Sequence, residues 1–288
     1  MTQHEERVLA CVDQSHFADH VADYGAWVAR RLSLPLELLH VLDRHPEIAA
    51  AADHSGTIGI DAQEQLLSTL SDEDESRSRA AREQGRVFLA RLRERAEAAG
   101  VEHTDTRQRH GELEETLREQ AENARVFILG RRGRSAEATQ RDLGRNVERV
   151  VRALQRPILA VTDSFREPES ALIAFDGSSL ARRGVELVAA SPLFRGMPIH
   201  LVMAGKLQRD GEKQVAWATG VLEAAGFSVS AALLPGDAES VIAREVQARD
   251  IDILVMGAYS HSPLRSLFLG SKTTDLLRAA RVPVLLLR

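Results

Sequence analysis

Two α/β domains in tandem, each built on a parallel β-sheet, are the architecture that three features of this chain predict. Short apolar runs alternate with amphipathic stretches of helical period, the grammar of strand–helix–strand units. The same grammar starts again at Ala171, so the 288 residues carry it twice. From Ile251 onward a strand, a glycine-containing loop, a helix and a closing strand follow one another.

Arg7 to Val12 is an apolar run that stops at Asp13-Gln-Ser15 and predicts a buried strand. Val21, Tyr24, Ala26, Val28 and Leu32 recur near helical spacing and predict a helix from about Phe17 to Leu32. Pro35 ends it, because a proline ring cannot continue the helical hydrogen-bond ladder. Leu36 to Val41 is the next strand. Asp43 to Ala80, with Ala49 to Ala52, a Gly-Thr-Ile-Gly segment and an acidic run at 71–76, reads as an insertion that is mobile or partly helical. It is either a solvated surface excursion or a lid on which a partner docks. From Ser78 to Ala99 Arg, Glu, Ala and Leu fall at helical spacing and Gly100 supplies a stop. In the second half, Ala171 to Phe175 is a strand closed by Asp176-Gly-Ser178, Leu180 to Ala190 a helix, and Ile199 to Met203 a strand. Ile251 to Met256 reads as a buried strand, Lys272 to Arg281 as a helix and Val282 to Leu287 as the last strand.

The halves align residue against residue. Asp13 and Asp176 occupy equivalent places, as do His110-Gly111-Glu112 and Pro235-Gly236-Asp237, Val126 to Gly130 and Ile253 to Gly257, and Arg156-Pro157 and Val282-Pro283. The last three displacements are 125, 127 and 126 residues, near-constant, which is the mark of a duplicated unit. The first displacement, 163, is larger by the length of the insertion. The domains therefore run from 1 to 163, with the insertion at about 43–80, and from 170 to 288. The boundary is the polar, proline-containing stretch Thr162 to Ser170. So short a tether predicts that the domains pack together, and pairing through their last strands would leave no open sheet edge between them.

Composition narrows the function classes. A net charge of −5 lacks the basic footprint of a general nucleic-acid binder. The single cysteine, Cys11, excludes an intrachain disulfide, and no Cys/His spacing suits structural zinc. The polar N-terminus and the absence of long apolar runs predict a soluble, cytoplasmic protein with no membrane partner. No Walker lysine motif, nucleophile elbow or metal triad is present, so no catalytic residue is assigned. Cys11, inside a strand with no basic neighbour, reads as a packed thiol and His110 as a surface or turn residue.

The segment that carries chemistry is Gly257-Ala-Tyr-Ser260, nine further residues, then Gly270-Ser271 at the start of a helix. Unpaired backbone N–H groups at a helix start face an anion favourably. This segment, with Ile-Leu-Val-Met before it and Val-Pro-Val-Leu-Leu-Leu after it, resembles the signature of the universal stress protein family. There Gly, two residues, Gly, nine residues and Gly-Ser or Gly-Thr line an ATP phosphate site. Ser260 stands here where the family has its second glycine. The resemblance implies two doubly wound, five-stranded domains of the kind also seen in adenine-nucleotide hydrolases, and an adenine nucleotide, ATP or AMP, as ligand, with Mg2+ accompanying ATP.

Carried over position by position, the resemblance places Asp176, Gly177 and Val202 or Met203 by the base and ribose. Gly257, Ser260, His261, Gly270, Ser271 and Lys272 surround ribose and phosphates, with Arg265 a further source of positive charge. The first copy offers Asp13, Val41, Gly130, Gly133 and Gly144, but ten residues separate its last two glycines and Arg145 replaces the hydroxylated residue. Arg131, Arg132, Arg134 and Arg145 crowd that loop and could draw an anion by charge alone. The implied role is a cytoplasmic stress-response module whose partner contacts change with nucleotide, acting chiefly through the second domain. A single chain would mimic a family dimer, and a homodimer of such chains is compatible with it. A nucleotide-free scaffold or chaperone-like protein, and a slow ATPase, are the alternatives.

Overall fold

The computed structural model describes residues 6–42, 60–131, 145–205, 210–257 and 280–288, with the backbone alone at 60–78 and in the first turn after 144. The first half runs β1 (Arg7–Cys11), α1 (Ala18–Leu32), β2 (Leu36–Leu42), α2 (Ile60–Ala98), β3 (Thr104–His110), α3 (Leu113–Gln120), β4 (Ala124–Gly130), α4 (Arg145–Ala153) and β5 (Ile158–Val161). The second repeats the order with β6 (Ala171–Ala174), α5 (Ser179–Ala190), a 3-10 turn (Pro192–Phe194), β7 (Ile199–Ala204), α6 (Gly211–Ala224), β8 (Val229–Leu234), α7 (Ala238–Ala248), β9 (Ile253–Gly257) and β10 (Val284–Leu287). The expected α/β class and tandem arrangement are both present.

All the strands join one 10-stranded sheet in the order β3-β2-β1-β4-β5-β10-β9-β6-β7-β8. Each half is parallel throughout, and the halves meet where β5 and β10 pair antiparallel. Leu285 lies opposite Leu159, with Val284 opposite Ala160 and Leu286 opposite Ile158, so a local twofold passes through the leucine pair. These strands are buried on both faces, which is why they read as unbroken apolar runs. One face carries α1, α2, α5 and α6 over a core that includes Trp27, Leu38, Phe194 and Leu222; the other carries α3, α4 and α7 over Phe127, Leu154 and Ile242.

Two strands escaped the sequence reading. β3, Thr-Asp-Thr-Arg-Gln-Arg-His, and β8 form the outer edges of the sheet, where one flank and much of one face meet solvent. Polar residues there keep an edge from pairing with other chains, and they also erase the apolar signal. The insertion is helical over 60–80, as its partly helical reading has it, and the helix expected from about Ser78 begins earlier: α2 starts at Ile60 and takes in the acidic run at 71–76. No glycine or proline interrupts residues 60–84, and acidic residues toward a helix N-terminus with basic ones toward its C-terminus suit the macrodipole. α2 has 39 residues against 14 in its counterpart α6.

Both helices end alike. Gly100 and Gly226 take φ of +93° and +88°, and the next residue in each bonds back into the last turn, Val101 N–H to Ala96 and Phe227 N–H to Leu222. Aligned on those glycines, Gly85 matches Gly211, Phe88 matches Gln214 and Arg91 matches Trp217. Each copy then fastens its first helix to its second by different chemistry. Arg91 pairs with Asp19 of α1 at 2.7 Å, whereas Arg182 of α5 lies 4.7 Å over the Trp217 ring.

Side chains also cross between the halves. Arg31 of α1 donates to the carbonyls of Leu193 and Arg195 beside the 3-10 turn. Arg288 at the end of the chain donates to Val151, Arg152 and Leu154, the carbonyls left open where α4 stops. The linker is held by Asp252. Its buried carboxylate accepts from the Glu169 and Ser170 N–H groups and the Ser170 hydroxyl, each at 3.0 Å, and pairs with Arg166 at 3.1 Å.

Candidate functional site

In each half the strand order reverses beside the first strand. β1 has β2 on one side and β4 on the other, and β6 has β7 and β9. In an open parallel sheet the carboxyl ends beside such a reversal are the usual ligand site, because loops there leave neighbouring strands toward opposite faces and a crevice opens between them. Asp13 and Asp176 stand at these carboxyl ends, each two residues beyond its strand, β1 and β6. Gly130 and Gly257 end β4 and β9 across from them.

The two aspartates are set by local turns. Asp13 Oδ1 accepts from the Ser15 N–H at 3.2 Å and the Ser15 hydroxyl at 2.5 Å, and Ser15 Oγ then accepts from Phe17 N–H at 3.3 Å. Asp176 Oδ1 accepts from Ser178 N–H at 3.0 Å, while Ser178 caps α5 by accepting from Ala181 N–H at 3.2 Å. The turn thus ends in a formed helix cap at Ser178, with the Asp176 carboxylate held at the rim. Between them Gly177 takes φ +74°, a left-handed conformation that a side chain would strain.

Phe175 N–H bonds to Val202 O at 2.9 Å, which brings the end of β7 beside the Asp176 turn; Val12 N–H does the same with Leu39 O in the first half. The side chains of Val202 and Met203 are 2% and 7% exposed and point into the cores on opposite faces, so these residues offer a ligand main-chain atoms. Val41 is half-buried on β2 opposite Arg109. Gly257 also serves packing: a Cβ there would lie 3.2 Å from Leu180 Cδ2 at the start of α5. The structure thus brings Asp176, Gly177, Val202, Met203 and Gly257 to one end of the sheet, and Asp13, Val41 and Gly130 to the matching end in the first half. Ser260, His261, Gly270, Ser271 and Lys272, like Gly133 and Gly144, lie outside the described residues.

One expectation is overturned. Arg131 does not stand ready for an anion in the first loop; it is 7% exposed and its guanidinium donates to the carbonyls of Ala280 and Val282 in the second half. Its place immediately after β4, next to the β5–β10 joint, directs it there. Cys11 is half-buried at the end of β1, and burial, then the Glu37 carboxylate, push its thiol far above the ordinary range, which favours the protonated form. Among the described residues no cluster of His, Cys, Asp and Glu could hold a metal ion, and no helix is long and apolar enough to cross a membrane.

Residues that sequence reasoning passed over surround the same ends. Gln214 of α6 lies over Gly177, near enough that a Cβ at 177 would sit 2.6 Å from its Cδ. In the first half the position equivalent to Met203 is His40, 4% exposed, whose Nδ1–H donates to Val12 O at 2.8 Å. A glutamine in an amphipathic helix and a histidine in a strand carry no motif, so only the fold reveals them.

The family model of the universal stress protein family matches residues 5–162 and 169–288. Universal stress protein Slr1230 of Synechocystis sp. is 34% identical over 286 residues, covering 98% of this chain and 100% of that one. The chain belongs to the universal stress protein family. Among solved structures, a universal stress protein from Archaeoglobus fulgidus matches with a TM-score of 0.68 at 17% identity, covering 99% of this chain and 97% of that one. A functionally unknown protein, PA1789 from Pseudomonas aeruginosa PAO1, matches at 0.59 and 18% identity, covering 98% and 92%. Both span the two halves of this universal stress protein together, so the tandem fold itself is shared.

Proposed function

We propose that this universal stress protein binds an adenine nucleotide, ATP or AMP, chiefly in its second domain (170–288), and acts as a cytoplasmic regulatory module whose partner contacts change with occupancy. The observation that carries the reading is the convergence of Asp176, Gly177 and Gly257 at the carboxyl ends of β6 and β9, where the sheet reverses its order. Gly257 leads directly into the segment whose Gly257, Ser260, Gly270, Ser271 spacing resembles the family's phosphate site. The chemistry fits the donor set. A carboxylate at Asp176 accepts from a ribose hydroxyl or base amine, glycines allow close main-chain approach, and the Ser271 hydroxyl, main-chain N–H groups and Lys272 suit phosphate oxygens. Mg2+ accompanying ATP would be held by those phosphates and water rather than by a protein cage.

The first domain (1–163) keeps Asp13 and Gly130 in the corresponding places, with Val41 one residue beyond the match to Met203, yet its loop spacing and Arg145 depart from the signature, so it takes a different ligand or none. Calorimetry on exhaustively dialysed protein tests the reading. Saturable binding of AMP or ATP that a Gly270→Val variant abolishes is the expected result; no heat of binding at millimolar nucleotide would overturn it.

A further inference from the structure

Among the described residues, the polar side chain that the fold lays directly over Gly177 is the carboxamide of Gln214. Gly177 and Gln214 come from different elements, the turn after β6 and the second turn of α6, and are in contact because Gly177 has no side chain. Gln214 is half-buried, and its carboxamide has no hydrogen-bond partner among the described residues. Two donors and an acceptor are therefore held beside the Asp176 turn, with no partner among the described residues. Three residues further along α6, Trp217 stacks on Phe175 at 6.4 Å and under Arg182, fixing this part of the helix against the end of β6.

We infer that Gln214 is a specificity-determining residue of the second-domain site and reads the edge of the ligand's base. The inference rests on the adenine-nucleotide reading above and gives it a selectivity. An adenine presents an amine donor next to a ring-nitrogen acceptor, and a glutamine carboxamide matches that pair bidentately. The corresponding edge of guanine presents two acceptors and cannot be matched the same way. The first domain lacks the device: Phe88 stands where α6 has Gln214, and Gln14 stands where the second domain has Gly177. The Phe88 ring packs 5.3 Å from His40 instead.

Calorimetric titration of the full chain with AMP and with GMP tests this. The wild-type protein is expected to bind AMP more tightly than GMP. Gln214→Leu should weaken AMP about tenfold to a hundredfold and leave GMP nearly unchanged, collapsing the preference. Gln214→Glu keeps the shape but only accepts hydrogen bonds, so it should swing the preference toward GMP, whose other edge offers donors. Wild-type affinities for both nucleotides in both variants would overturn the role of Gln214 while leaving nucleotide binding intact. A wild-type protein that binds neither nucleotide would instead overturn the proposed function itself.

Discussion

Single residues in this protein are constrained by what their neighbours leave room for. Gly177 is required twice, by its φ of +74° and by the Gln214 side chain above it. Gly177→Ala should therefore cost about 1–2 kcal/mol from the left-handed backbone alone, with a further loss from displacing Gln214, measured as a shift in urea midpoint. An unchanged midpoint would mean that the turn relaxes freely. Asp252 illustrates the complementary case, a buried charge that persists because one carboxylate oxygen accepts from three donors and the other lies 3.1 Å from the Arg166 guanidinium. That carboxylate sits one residue before β9, so the same segment that leads toward the crevice also pins the linker.

At the level of elements, α1 and α2 are joined by charge where α5 and α6 are joined by an aromatic ring. The hydrogen bond from Arg91, aided by the Arg91 and Arg95 charges, holds the Asp19 carboxyl below the usual carboxylate range. A depressed carboxylate contributes stability that is present above its unfolded pKa, about 4, and is lost as pH falls through the folded value. Because both partners are substantially exposed, the pair is worth only about 0.5 kcal/mol. Arg91→Ala should thus lower stability by that amount at pH 7 and by less near pH 2.5, as read from chemical denaturation at the two pH values. Equal losses at both would assign the effect to the Arg91 guanidinium lying over the Phe88 ring instead. His200 on β7 adds a second acid-sensitive element. Burial, then the charge of Arg249, lowers its pKa below 6.5, so its contribution is complete above that pH and falls away as the imidazole is forced to charge.

For the molecule as a whole, the β5–β10 pairing turns two sheets into one and removes the edge each would otherwise expose. Arg131 and Arg288 reinforce the joint from either side, each supplied by one half and received by carbonyls of the other. Arg131→Ala would leave the buried Ala280 and Val282 carbonyls short of donors, and we expect a loss of about 2–3 kcal/mol. The expected signature is specific. Trp27 reports on the first half and Trp217 on the second, so single-tryptophan versions followed by fluorescence should unfold together in the parent protein and separately in the variant. Coincident transitions in the variant would show that the leucine pair at the twofold couples the halves unaided.

What the sequence alone determined is whatever depends on local period and on displacement between copies. Apolar runs buried on both faces announced β1, β2, β4 to β7, β9 and β10, and near-constant offsets announced the duplication, because covalent repetition survives in sequence order. The Asp176-Gly177-Ser178 stop after β6 was legible for the same reason, since such a turn is made within a few residues. The outer strands β3 and β8 were not, because their surroundings are half solvent and half sheet and impose no apolar alternation. Only the tertiary structure decided where Arg131 goes, that Asp252 holds the linker, and that Gln214 covers Gly177. Each of those contacts joins residues between 37 and 151 positions apart, and hydrogen-bond partners at such separations are chosen by the packing of sheets and helices, on which no local pattern bears.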